Sequence, residues 1–194
     1  DARRSVAADS KVLIGIAAAR LIPDNSSVIL NIGTTTEQVA TALRRHQGLM
    51  VITNNINVAN ILRDAPSAEV VIAGGLVRHS DGGIMGEATV DFIRQFKVDF
   101  AVIGASAIDR DGSILDYDFR EVKVSQAIIA QARKTILVSD SLKFERTAPV
   151  RIADLSMIDV FVTEVEPPRE IVDYCRAHDV ELIIAGPMAA EQAA

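Results

Sequence analysis

The stretch Ser27–Ile32 (SVILNI), which runs through Gly33 into Thr34–Thr36 (TTT), decides how this chain folds. The SVILNI run is apolar and rich in β-branched residues, with Pro23–Asn25 before it and the glycine after it. These features predict a short strand that is buried on both faces. The threonines open a helical pattern, so the stretch predicts a strand that passes through a glycine directly into a helix.

The same unit of a strand followed by a helix recurs about seven times along the sequence. Such alternation, with strands that are apolar throughout, predicts an α/β fold, a three-layer αβα domain with a mostly parallel sheet. Two stretches rich in glycine and aspartate, Val77–Gly86 and Ala107–Asp118, are expected to be irregular loops. The predicted strands are Ser27–Ile32, Leu49–Thr53, Glu69–Ala73, Asp99–Gly104, Thr135–Ser139, Ile158–Thr163 and Val180–Ala185. The predicted helices are Lys11–Ile22, Thr35–Arg45, Ile56–Arg63, Ala88–Phe96, Phe119–Arg133 and Arg169–Ala177.

The composition indicates one globular domain that does not bind nucleic acid by itself. The chain has 194 residues, of which 49% are hydrophobic and 24% are charged, as is ordinary for a folded domain. Its net charge of −6 disfavours binding to a phosphate backbone, and its 4% aromatic content disfavours base stacking. We expect residues 10–186 to form the domain and the alanine-rich residues 187–194 to form a disordered tail.

The sequence contains no pattern typical of a cofactor site, a metal site or a membrane span. No G-x-G-x-x-G, P-loop or G-x-S-x-G sequence appears, which disfavours dinucleotide, nucleotide-hydrolase and α/β-hydrolase chemistry. The three histidines lack metal-ligand spacing, and the single Cys175 is expected to be a buried apolar residue. No apolar run approaches the roughly 20 residues of a membrane helix, so we expect a cytoplasmic protein without cofactors or metals.

The loop after the first predicted strand, Gly33–Thr36, is a candidate anion site. Ligands of open α/β sheets bind at the carboxyl ends of the strands. Free N–H groups and the dipole at a helix start favour a negative charge, the glycine admits a ligand close to the backbone, and threonine hydroxyls donate to phosphate oxygens. The alternative needs no ligand, since Thr34 and Glu37 have the spacing of a capping box.

Five further loops at the same predicted edge carry glycines, hydroxyls, amides or charges. Six such loops on one edge of a sheet together indicate a polar binding site. The candidate ligand-contacting residues in these five loops are Asn54, Gly74, Gly75, Arg78, Gly104, Ser106, Asp109, Glu121, Lys123, Asp140 and Lys143.

Each of these loops also has a structural explanation. Asn54 stands where helix N-caps are common, Arg78 is typical of an exposed loop, and Asp109 belongs to a sequence that favours a turn. Asp118 and Glu121 have the spacing of a second capping box. The paired glycines permit a positive φ or a close backbone approach.

Taken in order, these loops resemble the C-terminal effector domain of the DeoR family of bacterial transcription regulators. The likeness runs from about Ser10 to Ala185, and Leu115–Ile129 (LDYDFREVKVSQAII) is similar to the glycerol-3-phosphate repressor branch of that family. The stretches that carry the likeness are Asn31–Thr36 (NIGTTT), Val51–Asn55 (VITNN), Ala73–Gly75 (AGG), Asp99–Asp109 (DFAVIGASAID) and Ser139–Phe144 (SDSLKF).

The resemblance implies a fold shared with ribose-5-phosphate isomerase and a pocket for a phosphorylated sugar or glycerol 3-phosphate. One departure is that Leu115–Asp118 stands where the isomerase carries a lysine followed by glycines. A proton-shuttling enzyme needs that lysine beside its acid and base, so the resemblance implies binding without turnover. In this likeness the isomerase's phosphate loop corresponds to Thr34–Thr36, its aspartate loop to Asp109, its Arg-Glu-Lys segment to Arg120 and Glu121 with Lys123 displaced, and its Asp-x-Ser-Lys segment to Asp140–Lys143.

The resemblance also implies partners. The family carries an N-terminal winged helix-turn-helix module, of which this sequence shows nothing, so residues 1–9 are expected to be the end of an interdomain linker. Effector binding would control DNA binding by that module, in a homo-oligomer such as a dimer or tetramer. Two alternatives stay open, namely an active sugar-phosphate isomerase and a dimerisation module with a vestigial pocket.

Overall fold

The computed structural model describes residues 2–186, so the expected tail at 187–194 lies outside the described residues. The strands are β1 (Ser27–Leu30), β2 (Leu49–Thr53), β3 (Ala68–Ile72), β4 (Leu76–Val77), β5 (Ile84–Met85), β6 (Val98–Ile103), β7 (Ala107–Ile108), β8 (Ser113–Asp116), β9 (Ala132–Val138), β10 (Val150–Asp154), β11 (Val160–Thr163) and β12 (Glu181–Ile184). The helices are α1 (Ala2–Ala19), α2 (Thr34–Leu43), α3 (Ile56–Leu62), α4 (Glu87–Ile93), α5 (Phe119–Ala130) and α6 (Arg169–Ala177), with short 3-10 turns at Ser141–Glu145 and Leu155–Met157. Seven of the strands, in the order β12-β11-β9-β6-β1-β2-β3, form one parallel sheet.

The strand β1 lies inside this sheet, paired with β2 on one side and with β6 on the other. Successive residues of a strand point to opposite faces of the sheet. Val28 and Leu30 join the apolar core beneath α1, α2 and α3, whereas Ile29 joins the core beneath α4, α5 and α6. All three side chains are fully buried, which explains why the strand reads as an unbroken apolar run. The predicted three-layer αβα fold is therefore confirmed.

The first helix is longer at its start than predicted and ends earlier. It begins at Ala2 rather than Lys11 and ends at Ala19 rather than Ile22. Residues 2–9 bury no side chain, so apolar periodicity does not reveal that they are helical. Residues 2–9, which we expected to belong to the end of a linker, are thus part of the first helix.

The two stretches expected to be irregular, Val77–Gly86 and Ala107–Asp118, contain antiparallel hairpins. The first hairpin pairs β4 with β5, and the second pairs β7 with β8, to which β10 adds a third strand. Strands of two to four residues carry too little alternation to be recognised from sequence. The strand β10 was missed for another reason, because an irregular register between Arg151 and Ala153 breaks its alternation.

The described residues contain neither a membrane-spanning helix nor a cluster of metal ligands, and their one cysteine is buried. Within residues 2–186, none of the helices combines the length and the apolar character that crossing a membrane requires. In the same range, no three His, Cys, Asp or Glu side chains are grouped to hold a metal ion. Cys175 is buried in the core, as predicted, and burial raises the pKa of its thiol to about 11.

The glycine pair after β3 packs the first hairpin against α4. The Thr89 hydroxyl donates to the Gly74 carbonyl at 2.7 Å. Gly75 has a φ of 151°, and a Cβ at this position would overlap Thr89 Oγ1 and lie 2.7 Å from the Met85 carbonyl oxygen. A Cβ on Gly74 would meet nothing within 4 Å. The second glycine is therefore required by the close approach of the hairpin and the helix.

Substitution of each glycine by alanine is expected to show that only Gly75 is required for packing. Gly75→Ala should lower the free energy of unfolding by about 2 kcal/mol or more, because the added methyl overlaps Thr89 and the positive φ disfavours alanine. Gly74→Ala is the matched control and should change it by less than about 1 kcal/mol. Urea denaturation followed by circular dichroism measures both. Equal destabilisation by the two substitutions would contradict this explanation.

Candidate functional site

A polar cavity of about 330 Å³ opens at the carboxyl edge of the sheet, where β1 and β6 lie side by side. From β1 the chain builds β2 and β3 on one side, and then returns to build β6, β9, β11 and β12 on the other. Such a reversal of strand order leaves a crevice in which α/β proteins bind ligands. We call it the switch-point cavity, and it is lined by Ile32, Gly33, Thr34, Thr35, Thr36, Arg78, Ser80, Asp81, Gly104, Ala105, Ser106, Asp116, Tyr117, Glu121, Val138 and Lys143.

The first wall of the switch-point cavity is the N-terminal turn of α2, Thr34–Thr36. Gly33 is its N-cap, with a φ of 134°, and no side chain caps the helix. Glu37 instead accepts a hydrogen bond from Asn57 Nδ2 at 2.9 Å, so the capping box considered as an alternative does not form. The first N–H groups of a helix have no intrahelical acceptor, and uncapped groups of this kind bind anions.

Thr36 contributes a hydroxyl that has no partner in the described structure. Its side chain is fully buried, yet its Oγ1 forms no hydrogen bond. A Cβ on Gly33 would lie 3.6 Å from that oxygen, and a Cβ on Gly104 would lie 3.8 Å from it. Glycine at both positions keeps the approach to the hydroxyl open. An unpaired buried hydroxyl costs about 1–3 kcal/mol, which a hydrogen-bonding ligand would remove.

The second wall carries the positive charge of Lys143. This lysine lies on the 3-10 turn that follows β9, and Asp140 caps the turn by accepting the N–H of Leu142 at 3.0 Å. Burial lowers the pKa of the lysine amine, and the Asp140 carboxylate offsets part of that effect. Among residues 2–186, no carboxylate lies within ion-pair distance of the Lys143 Nζ, so its charge is available to a ligand.

The third wall is acidic and was not predicted. Asp116, at the end of β8, is buried, and its Oδ1 accepts from the Ser106 hydroxyl at 2.9 Å and from the Tyr117 N–H at 2.7 Å. Both bonds go to one carboxylate oxygen, which leaves the other oxygen for a donor such as a sugar hydroxyl. Ser106, predicted to contact a ligand, thus lines the cavity and also orients this carboxylate.

Arg78 lines the cavity but is surrounded by carboxylates. Its Nε donates to Asp81 Oδ1 at 2.9 Å, and its Nη1 lies 2.7 Å from Glu121 Oε2 and 3.6 Å from Asp118 Oδ2. The hydrogen bond with Asp81, followed by that with Glu121, raises the pKa of the guanidinium above its usual value. Arg78, a predicted ligand-contacting residue, thus forms an ion-pair network that ties the turn between β4 and β5 to the start of α5.

Glu121 reaches the cavity instead of completing a capping box. Asp118 caps α5 alone, by accepting the Arg120 N–H at 2.9 Å. Burial, followed by the nearby Asp116 carboxylate, raises the pKa of Glu121 to about 7, and the Arg78 guanidinium offsets only part of this rise. Near neutral pH the side chain can therefore accept or donate a hydrogen bond.

Some of the residues predicted to contact a ligand line the switch-point cavity, and the others lie outside it. Two of those outside it serve the hairpins. Asn54 is buried, and its Nδ2 donates to the Ile84 carbonyl, which fixes β5. Asp109 lies in the turn between β7 and β8, where its N–H bonds the Ser113 carbonyl at 2.9 Å. The candidates that do line the cavity are Gly33, Thr34, Thr35, Thr36, Arg78, Gly104, Ser106, Glu121 and Lys143.

Lys123 and Asp140 also lie outside the cavity, together with the paired glycines Gly74 and Gly75. Lys123 is exposed in a separate groove of about 750 Å³ between α4 and α5, because residues two apart on a helix do not share a face with each other. Asp140 caps the turn that carries Lys143, so it influences the cavity only through that lysine.

Four polar lining residues were missed by sequence reasoning, and they lie on or beside the two hairpins. Long loops rich in glycine and aspartate were recognised as candidates for function, but the sequence did not show which of their side chains face the sheet edge. The missed residues are Ser80, Asp81, Asp116 and Tyr117.

Replacement of Glu121 by glutamine is expected to change how stability depends on pH. Because the folded chain binds the Glu121 proton more tightly than the unfolded chain, this group stabilises the fold at low pH. The free energy of unfolding of the wild type, relative to that of Glu121→Gln, should fall as the pH rises from 4.5 to about 7. The fall should not exceed about 3.5 kcal/mol, since each pH unit contributes at most about 1.4 kcal/mol.

Urea denaturation of the wild type and of Glu121→Gln from pH 4.5 to 7 measures the difference in their free energies of unfolding. The exposed Glu87 provides a control, since Glu87→Gln should follow the wild type. A pH-independent difference between wild type and Glu121→Gln would show that the pKa of this carboxyl is not raised.

Comparison with known proteins places the chain in a family. The family model described as the DeoR C terminal sensor domain matches residues 6–165. The glycerol-3-phosphate regulon repressor of Haemophilus influenzae is 49% identical over 166 residues, which cover 86% of this chain and 64% of that protein. The protein of the same description from Escherichia coli is 42% identical over 180 residues, which cover 93% of this chain and 71% of that protein. The chain thus spans about two thirds of the length of these relatives.

Solved structures support the fold. Ribose 5-phosphate isomerase A from Methanocaldococcus jannaschii has a TM-score of 0.52 at 13% identity, covering 70% of this chain and 54% of that chain. The eIF2B beta subunit from Chaetomium thermophilum has a TM-score of 0.55 at 17% identity, covering 78% of this chain and 49% of that chain. At these identities the likeness concerns the fold alone, and it confirms the predicted isomerase-like architecture. The sequence matches show that the chain belongs to the DeoR C-terminal sensor domain family.

Proposed function

We propose that this chain is the effector-sensing domain of a transcriptional repressor of sugar or polyol catabolism, and that a phosphorylated sugar or glycerol 3-phosphate binds in the switch-point cavity. One observation carries the proposal, the buried Thr36 hydroxyl that lacks a partner at the uncapped N-terminus of α2. A phosphate oxygen accepts hydrogen bonds from such a hydroxyl and from helix N–H groups together. Two relatives are glycerol-3-phosphate regulon repressors, which supports the same ligand class.

The two ends of the cavity suit the two ends of such a ligand. The first turn of α2 and Lys143 would hold the phosphate, because they combine N–H groups, hydroxyls and a positive charge. Asp116 and Glu121 would accept hydrogen bonds from ligand hydroxyls. A volume of about 330 Å³ is at the lower end for small-molecule pockets, which favours a small effector.

Sensing without catalysis is the second part of the proposal. Leu115 and Asp116 lie in β8, where the resemblance places the lysine and glycines of the isomerase. The Glu121 carboxylate is paired with Arg78 at 2.7 Å, which opposes its use as a free general base. Relatives described as repressors agree with a binding role.

The effector signal would pass to a DNA-binding module of the full repressor. We assign DNA contact to an N-terminal winged helix-turn-helix module, as the family resemblance implies, within a cytoplasmic homo-oligomer, a dimer or a tetramer. The effector changes DNA binding only if it binds two subunit arrangements with different affinities.

Isothermal titration calorimetry with glycerol 3-phosphate and a panel of sugar phosphates tests the ligand site. Thr36→Val keeps the shape of the side chain and removes its hydroxyl, so the affinity should fall about tenfold or more, since a hydrogen bond to a charged group contributes about 1.5–3 kcal/mol. Lys143→Met should lower the affinity by a similar or larger factor. Thr41→Val alters an exposed threonine of the same helix and should bind like wild type.

Saturable binding that survives Thr36→Val combined with Lys143→Met would place the ligand elsewhere and overturn this site. Failure of every probe to bind wild type would overturn the sensing role. Oligomers detected by light scattering would in that case favour a dimerisation module with a vestigial pocket.

The rival function is a sugar-phosphate isomerase, and an activity assay decides between the two. With ribose 5-phosphate as substrate, the purified chain should show no turnover above a buffer blank, because the carbonyl-polarising lysine of the isomerase is not matched. An authentic ribose-5-phosphate isomerase at equal concentration is the positive control. Turnover that Glu121→Gln abolishes would overturn the non-catalytic assignment.

A further inference from the structure

Asp140 is a buried carboxylate that pairs with Lys11 of α1 and caps the turn that carries Lys143. The residue is only 1% exposed. Lys143, on the turn that it caps, lines the switch-point cavity, and the Nζ of Lys11 on α1 lies 3.7 Å from Asp140 Oδ2. Oδ1 accepts the Leu142 N–H, whereas Oδ2 has no hydrogen-bond partner in the described structure. One buried negative charge therefore acts electrostatically on a lysine of the cavity and on a lysine of the first helix.

The helix α1 also packs closely against α2, the helix whose first turn lines the switch-point cavity. Gly15 of α1 approaches α2 so closely that a Cβ there would lie 2.7 Å from the Gln38 carbonyl oxygen. A cleft of about 740 Å³ separates α1 from the 3-10 turn, and Thr34 and Lys143 line both this cleft and the switch-point cavity. A change of charge at Lys143, such as an anion bound beside it, therefore acts on α1 across this cleft.

The charges in this region compete with one another. Burial lowers the pKa of Lys143, the Asp140 carboxylate raises it, and the positive charges of Arg146 and then Lys11 lower it, so Lys11 is one of two cations that repel Lys143. An anionic group bound at Lys143 neutralises the charge of that lysine and weakens this repulsion. Because this repulsion is weaker, the ion pair between Lys11 and Asp140 becomes stronger.

We infer that Lys11 and Asp140 are positioning residues that couple an anion bound at the phosphate end of the switch-point cavity to the docking of α1. The inference rests on the proposed function, because it uses the phosphate position assigned there, and it adds the element that responds. Coupling is reciprocal, so docking of α1 also strengthens anion binding, and loss of the Lys11 charge lowers the affinity. In the proposed repressor, α1 carries the signal of an occupied cavity toward the DNA-binding module.

Hydrogen–deuterium exchange of the whole chain, read by mass spectrometry, tests the coupling. In wild type, saturating glycerol 3-phosphate, or inorganic phosphate as a smaller probe, should slow exchange in the first turn of α2 and in residues 7–15 of α1. A coupling free energy of typical size slows exchange in α1 by about fivefold or more. In Lys11→Met, the first turn of α2 should still respond, α1 should not, and the affinity should fall about fivefold. Lys97→Met removes an exposed lysine elsewhere and should respond like wild type.

A second arm of the experiment needs no ligand. Lys143→Met removes the charge that repels Lys11, so α1 should exchange about fivefold more slowly than in ligand-free wild type. Adding Lys11→Met to this variant should abolish the protection. Adding Asp140→Asn instead should abolish it as well, because asparagine can keep the cap of the 3-10 turn but removes the charge.

The outcomes separate the coupling from the proposed function. Protection of α2 without protection of α1, or a Lys11→Met chain that responds like wild type, overturns the coupling and leaves the ligand site in place. Absence of protection in both segments with both probes counts against the ligand site, while the ligand-free comparison still decides the coupling. Unchanged exchange of α1 in ligand-free Lys143→Met overturns the coupling.

Discussion

Burial of β1 on both faces is the constraint on which the rest of the structure depends. Because its side chains alternate between two apolar cores, helices must cover the strand from above and from below. The chain meets this requirement by adding strands first on one side of β1 and then on the other. That reversal brings Gly33 and the uncapped start of α2 beside the end of β6. The polar cavity is therefore a consequence of how the core is enclosed.

The central sheet could be predicted because complete burial leaves a clear apolar pattern. Both β2 (Leu49–Thr53) and α6 (Arg169–Ala177) have the bounds that the sequence indicated. The first half of α1 and the two hairpins could not be predicted in the same way. They are exposed or only a few residues long, so they bury too little to leave a periodic pattern.

In the site, too, the residues with a local sequence pattern could be predicted and those placed by the tertiary fold could not. The wall at Gly33–Thr36 was recognisable, since glycine followed by hydroxyls at the junction of a strand and a helix has a local physical meaning. The acidic wall was not, because Asp81 and Asp116 reach the cavity on hairpins whose placement depends on the tertiary fold. The pairing of Arg78 with Glu121 is equally non-local, and it ties a hairpin to a helix at the cavity.

The solitary cysteine of this chain has a practical consequence. Reagents such as maleimides attack the thiolate, and a thiol whose pKa is about 11 is ionised in only about one molecule in ten thousand at pH 7. Cys175 is also enclosed by the core, so a bulky reagent has little access to it. A cysteine introduced on the exposed side of α1 can thus be labelled selectively without removing the native one. The fold therefore offers an unreactive background for fluorescent reporters attached to α1.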